Sequence, residues 1–269
     1  MSLLLFSFPQ LVLPEGTGTV VDGTAQLIAS EVASDALRAL LEREGVRVVP
    51  NTEVTALAST SDGLWLETNR GRWMAERVIV TAGTGTGELL DRAESRMSVR
   101  TLVSAFYSLD LPDAQWRAGR FPAVRVVDEA GQAAWTVVPE FADRGVKVTR
   151  HTTEEAGDAA AQLEALKVWF EDSFQAKVTG LLGREVRQVV RITDRPMVID
   201  THHDDPRIVF ATGHDGQEVA LGPILGTCLA QLVLDGRSEI DAFQRNRKHF
   251  ALPRRSLPTR RKRKARAAH

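Results

Sequence analysis

The sequence predicts an α/β (α+β) fold in which a truncated, Rossmann-like dinucleotide-binding domain carries an inserted antiparallel-sheet domain. Three observations predict this arrangement. Residues 1–97 contain a helix, a short strand, a β-meander, a buried strand and a glycine turn, the order found in the second half of a dinucleotide-binding fold. Residues 98–184 contain strand-like runs and one long amphipathic helix, which is typical of a sheet backed by a helix. Residues 185–250 return to buried strands, a glycine turn and an apolar helix, and so complete the first domain.

The elements of the first domain are assigned from their periodicity. Residues 29–44 place apolar side chains at helical spacing, and Gly45 follows as a typical C′ residue. The run VRVVP at 46–50 predicts a short strand, and two alternating stretches around the turn TSDG predict a hairpin or meander. Residues 78–80 have the continuous apolar character of a strand buried on both faces. A glycine turn and a short helix at 88–93 follow.

The inserted domain is assigned from four strand-like runs separated by turn residues, TLVSAFYSLDL, AVRVVD, AAWTVVPEF and VKVTRH. A long amphipathic helix at about residues 154–174 follows them, and Leu163, Leu166 and Phe170 supply its apolar face. VRQVVRI and PMVID are predicted strands that lead back into the first domain.

The composition of the 269 residues is that of a globular protein, with 43% hydrophobic and 26% charged residues. The single cysteine, Cys228, excludes an internal disulfide and fits a reducing compartment, and its place in an apolar helix favours a packed side chain over a reactive thiol. No apolar run reaches the roughly 18 residues that span a membrane, and the apolar start lacks the features of a signal peptide. We therefore expect a cytoplasmic protein.

The net charge of −1 conceals a basic C-terminus. Eleven Lys/Arg and no Asp/Glu lie between Arg245 and Arg266, which leaves 23 basic against 35 acidic residues in the rest of the chain. Residues 251–269 are rich in charge and broken by proline, so we expect a disordered, solvated tail. Contact with nucleic acid or anionic lipid is the alternative, which the composition favours less.

The segment from Arg207 to Gly236 gives the strongest local indication of a binding site. It contains a short buried strand at 208–211, a turn with Gly213 and Gly216, and an apolar helix. A glycine turn that leads into a helix N-terminus gathers backbone N–H donors, which suit an anionic or electron-rich ligand. An ordinary βα junction, in which the glycines only form the turn, explains the same pattern equally well.

Complete nucleotide, zinc and hydrolase motifs do not occur in the sequence. The run GTGTG at 83–87 follows a buried strand, but Glu88 stands where the third glycine of G-x-G-x-x-G belongs. Neither a G-x-S-x-G elbow nor an H-E-x-x-H helix is present. The run HHDD at 202–205 has residue types that bind metals, but neighbouring residues on a loop before Pro206 rarely converge on one ion. We therefore expect a solvated turn there and no metal.

His151 is the candidate catalytic residue, at the end of the strand-like run 146–150. A histidine at a strand end is more often structural than catalytic, and that alternative stays open. A neutral imidazole beside an amine substrate is able to hydrogen-bond to it or accept a proton.

Taken together, these segments resemble the FAD-dependent amine and amino-acid oxidoreductases of the D-amino-acid oxidase family, in the branch of monomeric sarcosine oxidase and N-methyltryptophan oxidase. RWMAERVIVTAG resembles their second flavin-contacting strand and turn, and the segment ending in NTEVTAL resembles the region that leaves the first Rossmann unit. GVKVTRHTT resembles the strand that ends in an active-site histidine, and RIVFATGHDGQEVALGP resembles the closing segment at the flavin ring. The resemblance covers about residues 8–248. It implies that residues 1–97 and 185–250 form a partial FAD-binding domain and that residues 98–184 form the substrate domain.

The resemblance implies that FAD is bound non-covalently, because Val189, Val190 and Arg191 occupy the region of the family's flavin-linking cysteine. It implies that His151 acts on a small amine or amino acid whose C–N bond is oxidised by hydride transfer. It also implies these cofactor contacts: Val54, Thr81, Ala82, Gly83, Gly213, Gly216 and Gln217.

The family's strand–G-x-G-x-x-G–helix unit, which holds the FAD pyrophosphate, does not occur in this sequence. Each charged hydrogen bond lost with it weakens nucleotide binding by about 1.5–3 kcal/mol. A second function therefore stays open, that of a catalytically silent remnant or subunit to which a separate partner chain supplies this unit. Neither a nucleic-acid partner nor a membrane is expected.

Overall fold

A computed structural model of the chain describes residues 8–12, 17–90, 97–110, 115–127, 131, 133–152 and 159–252. The chain divides into two compact units. Unit 1 contains residues 1–51 and 98–191, and unit 2 contains residues 52–97 and 192–269. By contacts, residues 1–51 therefore group with the inserted sheet, while the functional division into an FAD-binding and a substrate domain stays a prediction. The predicted basic tail lies outside the described residues from 253 onward.

Along the chain, runs of three or four strands are separated by helices. In chain order they are α1 (Ser30–Arg43), β1 (Val54–Ser59), β2 (Leu64–Thr68), β3 (Gly71–Ala75), β4 (Val78–Val80), α2 (Thr86–Leu90), β5 (Met97–Leu109), β6 (Val124–Val127), β7 (Ala133–Val138), β8 (Val146–Thr152), α3 (Ala159–Ser173), β9 (Val178–Ile192), β10 (Val198–Thr201), β11 (Ile208–Thr212), α4 (Glu218–Asp235) and α5 (Asp241–Phe250).

Unit 1 is built on a five-stranded sheet with the order β6-β7-β8-β5-β9, and its first four strands pair antiparallel. One face packs against α3 because every second residue of β8 is apolar there. Val146 and Val148 share a buried core with Leu166 and Phe170 of the helix. Packing on only one face leaves the alternate residues of β8 on the opposite face.

The N-terminal part of unit 1 contains the predicted amphipathic helix, but its apolar stripe is not buried. Helix α1 forms as predicted and ends before Gly45, whose φ is +78°, yet it buries no residue. Val32 and Leu37 on its apolar stripe are 68% and 60% exposed. The predicted strand at 46–50 is wrong, because those residues have no strand conformation. A strand needs a neighbour for its backbone hydrogen bonds, and none of the described strands pairs with this segment.

Unit 2 contains two three-stranded sheets. The predicted meander is confirmed as the antiparallel sheet β1-β2-β3. The second sheet has the order β10-β11-β4, in which β11 is antiparallel to β10 and parallel to β4. All five residues of β11 are buried, whereas Ile79 on β4 is 43% exposed. The expectation that β4 is buried on both faces is therefore wrong, because β4 is an edge strand of the described sheet.

Helix α4 packs on this sheet through its C-terminal half. Cys228, Leu229 and Leu232 join Val209 of β11 in a buried core, so the cysteine is a packed side chain, and burial raises the pKa of its thiol. Residues 217–227 are mostly exposed. By length and composition α4 is the one described helix that passes as a membrane span, and core helices of other proteins pass the same test.

Candidate functional site

The carboxyl ends of the parallel strands β4 and β11 lie side by side in unit 2. Phe210 pairs with Val80, so the residues that follow the two strands leave the same edge of the sheet. In open α/β sheets, ligands bind in the crevice beyond this edge. The edge brings together six of the seven residues expected at the cofactor: Thr81, Ala82, Gly83, Gly213, Gly216 and Gln217.

The two glycines of the turn after β11 are required for different reasons. Gly213 has a φ of +86°, and a Cβ there would lie 2.4 Å from Cγ1 of Ile192. Asp215 and Gly216 have φ values of 49° and 83°, and the Gln217 N–H donates to the His214 carbonyl over 3.0 Å. Two positive φ values inside such a bond define a type I′ turn. This turn delivers the chain to the N-terminus of α4, whose first turn begins with Glu218.

A cofactor that binds at this edge has to match the polar groups of the edge. The hydroxyls of Thr86 and Thr212 are buried, and neither has a hydrogen-bond partner among the described residues. Buried hydroxyls without a partner cost about 1–3 kcal/mol each and call for a ligand or water. Gly83 has a φ of +57° and open space where a Cβ would point. Both hydroxyls are enclosed by protein, so the fit of a planar cofactor rests on the open space at Gly83 and on the backbone N–H groups of the two glycine turns. The sequence holds no pyrophosphate loop beside them.

Val54, the seventh residue expected at the cofactor, lies elsewhere in unit 2. It is the first residue of β1 in the meander, where it pairs with Thr68. The meander contacts the short helix α2, which follows the Gly83 turn. Val54 thus belongs to a different sheet from the six residues of the edge.

His151 lies on the face of the unit 1 sheet that points away from α3. Its Nε2 is 2.9 Å from the Thr136 hydroxyl of β7, which fixes the ring orientation. Thr149, two residues earlier, shares a 2.8 Å hydrogen bond with Ser104 of β5. The guanidinium of Arg150 instead lies 5.6 Å from the ring of Trp135, which stacks on Trp169 of α3. The polar face is thus formed by alternate residues of β8.

Lys147 belongs to the same polar face, although the sequence did not identify it as a site residue. Its Nζ lies 2.6 Å from Glu185 of β9, and 5.2 Å from the centre of the Phe106 ring. Glu185 also contacts Arg187 at 3.3 Å. Although burial opposes it, the Lys147 ammonium holds the pKa of the Glu185 carboxyl below its usual value. The two-residue spacing of Lys147, Thr149 and His151 is the signal that could have identified this face.

Glu218 places a carboxylate at the N-terminus of α4, close to the turn. One of its oxygens lies 3.4 Å from Nδ1 of His214, four residues earlier. The positive end of the helix dipole favours this negative charge. The edge therefore presents an acidic group beside the glycines, which is a departure from a purely anion-binding helix N-terminus.

Residues 7–232 match the family model described as FAD dependent oxidoreductase. Monomeric sarcosine oxidase of Bacillus sp. (strain B-0618) is 25% identical over 253 residues, covering 87% of this chain and 62% of the relative. N-methyl-L-tryptophan oxidase of Yersinia pestis (strain Pestoides F) is 26% identical over 244 residues, covering 87% of this chain and 64% of the relative. The chain thus spans less than two thirds of the length of these relatives.

Solved structures give the same answer for the fold. Glycine oxidase from Geobacillus kaustophilus superposes with a TM-score of 0.63 at 19% identity, covering 82% of this chain and 57% of the other. NikD, an unusual amino acid oxidase essential for nikkomycin biosynthesis, gives 0.60 at 20% identity, covering 78% and 57%. The predicted α/β class with a partial Rossmann-like domain is confirmed. By the match to its family model, this chain belongs to the family of FAD-dependent oxidoreductases.

Proposed function

We propose that the chain acts in the FAD-dependent oxidation of the C–N bond of a small amine or amino acid, by hydride transfer to the flavin. The observation that carries the proposal is the edge of β4 and β11, where the glycine turns at Gly83 and Gly213 follow two parallel strands that lie side by side. The names of the relatives make sarcosine and N-methyl-L-tryptophan the first substrates to test. A cytoplasmic location belongs to the same proposal.

The residues of this chain would bind the flavin, orient the substrate and take a proton from it. The glycine turns at Gly83 and Gly213 would present backbone N–H groups to the isoalloxazine ring, and Gln217 would lie near its edge. Bound FAD supplies the hydride acceptor. His151, oriented by Thr136, would accept a proton from the ammonium form of the substrate, so that the nitrogen lone pair is free to form the C=N bond. Water then adds to the released imine, which splits into a carbonyl compound and an amine.

The test is a purified chain with added FAD, followed by its visible spectrum. Retention of flavin after dialysis, and its bleaching by sarcosine or N-methyl-L-tryptophan without oxygen, would support the proposal whatever the natural acceptor is. His151→Gln is expected to slow bleaching by about 10²- to 10⁴-fold, the usual worth of a positioned acid or base. His249→Gln, an exposed histidine on α5, is the matched control. Equal bleaching rates in both variants would rule out the role of His151.

A second function is favoured by the apolar surface that the described residues leave exposed. In unit 1 the stripe of α1 is exposed at Val32 and Leu37, and in unit 2 α4 exposes Val219 and Ile224. Exposed apolar patches of this kind mark protein interaction sites. We therefore keep as the alternative a subunit or remnant that is silent alone, with a separate chain supplying the strand–G-x-G-x-x-G–helix unit.

Fragment complementation separates the two functions. The chain would be produced alone, and together with a second fragment that carries the family's strand–G-x-G-x-x-G–helix unit. Flavin retained only in the presence of the second fragment, and lost again with Leu37→Glu, supports the subunit. Flavin retained by the chain alone supports the enzyme. No flavin in either sample leaves the catalytically silent remnant.

A further inference from the structure

The loop between β10 and β11 gathers two histidines and an aspartate. His202, His203 and Asp204 each offer one ligand atom, and the three atoms all lie within 4.8 Å of one another. The two imidazole rings are 4.8 Å apart between centroids, and Nε2 of His203 lies 2.6 Å from an Asp204 carboxylate oxygen. The sequence favoured a solvated turn because neighbouring residues rarely converge. The backbone of this loop makes them converge.

Hydrogen bonds at its base hold the loop in this shape. The His202 N–H donates to the Ile208 carbonyl over 2.8 Å, and the Ile208 N–H donates to the Asp205 carbonyl over 3.1 Å. The Asp205 side chain, 8% exposed, pairs with Arg207 at 2.7 Å and accepts a hydrogen bond from the Ser59 hydroxyl. Asp205 is therefore the anchor of the loop and is not a ligand. A loop fixed in this way loses little entropy when a ligand binds.

Beside the triad lies a cavity of about 420 Å³. His202 and His203 form part of its wall, together with Asp200, Arg247 and apolar side chains such as Phe210. Such a cavity admits water or a small ligand to further coordination positions of a bound ion. Asp200 and Arg247 carry opposite charges on the same wall, so the cavity itself has no strong charge preference.

The triad lies at the opposite end of β11 from the glycine turn. His202 bonds to Ile208, the first residue of the strand, while Gly213 follows the last one. Five residues of strand separate the two sites by about 16 Å at 3.3 Å per residue. The triad is therefore a separate site from the candidate cofactor edge.

We propose that His202, His203 and Asp204 form a binding site for a divalent transition-metal ion of the Zn²⁺ type. Two imidazole nitrogens and one carboxylate oxygen are ligands that Zn²⁺ prefers, whereas Mg²⁺ and Ca²⁺ require oxygen ligands. Bonds of about 2.0–2.2 Å in a tetrahedral site place the ligand atoms about 3.3 Å apart. The present separations of the three atoms, none above 4.8 Å, exceed this value by at most about 1.5 Å.

The proposal is tested on the full chain without a polyhistidine tag and without FAD, so its outcome does not depend on the proposed function. After dialysis against EDTA, titration calorimetry with ZnCl₂ is expected to show one saturable site, and MgCl₂ to show none. CoCl₂ is expected to give the visible absorption of a tetrahedral site. His203→Ala and Asp204→Asn are expected to weaken Zn²⁺ binding by about 100-fold or more, since even outer-shell changes cost 10- to 100-fold.

His249→Ala serves as the control, because this histidine lies on α5 outside the triad. Circular dichroism of each variant establishes that it is folded, and Asp204→Asn, which replaces one exposed side chain with another of equal size, covers the case in which His203→Ala does not fold. Absence of a saturable Zn²⁺ site overturns the proposal. So does binding that survives both triad variants, or that His249→Ala weakens as much as they do.

Discussion

At the residue scale, Tyr107 provides a direct measure of burial because it is the single tyrosine of the chain. It is 3% exposed, and its hydroxyl donates to the Leu163 carbonyl over 3.0 Å. Burial, together with the negative charges of Glu164 and Glu171, raises its pKa to about 12. The neutral phenol is thus favoured in the folded state.

The raised pKa of Tyr107 predicts a loss of stability at alkaline pH. A group whose pKa is raised on folding contributes its full stability below the unfolded value of about 10 and loses it as pH rises toward 12. Two units correspond to about 2–3 kcal/mol. The pH-dependent contribution of Tyr107 is measured by urea unfolding of the wild type and of Tyr107→Phe at about pH 9 and about pH 11. If the difference in unfolding free energy between the two proteins stays constant over this pH range, the pKa of Tyr107 is not raised by folding.

Gly213 illustrates a glycine that packing requires whether or not a cofactor is bound. A Cβ at this position meets Ile192 at 2.4 Å on a backbone with a φ of +86°. Gly213→Ala is expected to destabilise the fold by about 2–5 kcal/mol, the sum of left-handed strain and overpacking. Gly236→Ala is the matched control, because its φ is +71° and nothing lies within 4 Å. Its cost is expected to stay near 1 kcal/mol in urea unfolding.

A double variant separates the steric cause from the conformational one. Adding Ile192→Ala to Gly213→Ala removes the atoms that the new methyl group meets. We expect the double variant to be less destabilised than the sum of the single variants, by about 1 kcal/mol or more. Additive free energies of unfolding would show that strain alone explains the glycine.

At the element scale, Asp205 connects the β10–β11 hairpin to the meander in unit 2. Its carboxylate binds Arg207, and the Arg207 guanidinium also reaches the Thr60 carbonyl at 3.0 Å beyond β1. Asp205→Ala leaves that guanidinium without its acidic partner. Because Arg207 is one third exposed, the loss of stability is expected to be smaller than that for a fully buried pair.

The effect of Asp205→Ala should be local as well as global. Hydrogen exchange is expected to accelerate in the hairpin at 201–208 and in the turn at 59–63, which the ion pair joins. Asp62→Ala is the control, since Asp62 is exposed and, within the described part of the chain, its carboxylate accepts a hydrogen bond from Ser61 of the same turn. Equal exchange rates in both variants would show that the pair does not couple the two elements.

Local patterns predicted helices and strands well where the residues also have partners. The alternation of VKVTRH predicts β8, and the glycine after β11 predicts the turn into α4. The run at 46–50 has the same strand-like pattern, yet it forms no strand, because pairing depends on a neighbour that no local pattern contains. The polar face of Lys147, Thr149 and His151 follows from strand periodicity only once α3 is known to cover the other face.

At the scale of the whole molecule, membership of the family follows from the order of the segments along the chain. Single motifs could not show it, because the complete nucleotide fingerprint does not occur in the sequence. The convergence of His202, His203 and Asp204 was not predictable either, since it depends on loop hydrogen bonds made to Ile208 and Asp205. Composition predicted a globular core, and it did not indicate that the stripe of α1 would be exposed.

The exposed stripe of α1 leads to a prediction about the behaviour of the whole chain in solution. Leu37 and Leu40 are 60% and 42% exposed, so their replacement by glutamate removes little packing and should change the unfolding free energy by less than about 0.5 kcal/mol. The same change places two charges on an apolar patch and should reduce both self-association in size-exclusion chromatography and the binding of a hydrophobic dye.

The contrasting variant is Leu229→Ala on α4, whose side chain is 3% exposed. It should destabilise the chain by about 2–5 kcal/mol, because it leaves a cavity between the helix and β11. A double glutamate variant of α1 that unfolds as readily as Leu229→Ala would mean that the stripe is packed in solution. Stability equal to that of the wild type, together with lower self-association, would instead identify the stripe as the surface through which copies of the chain associate.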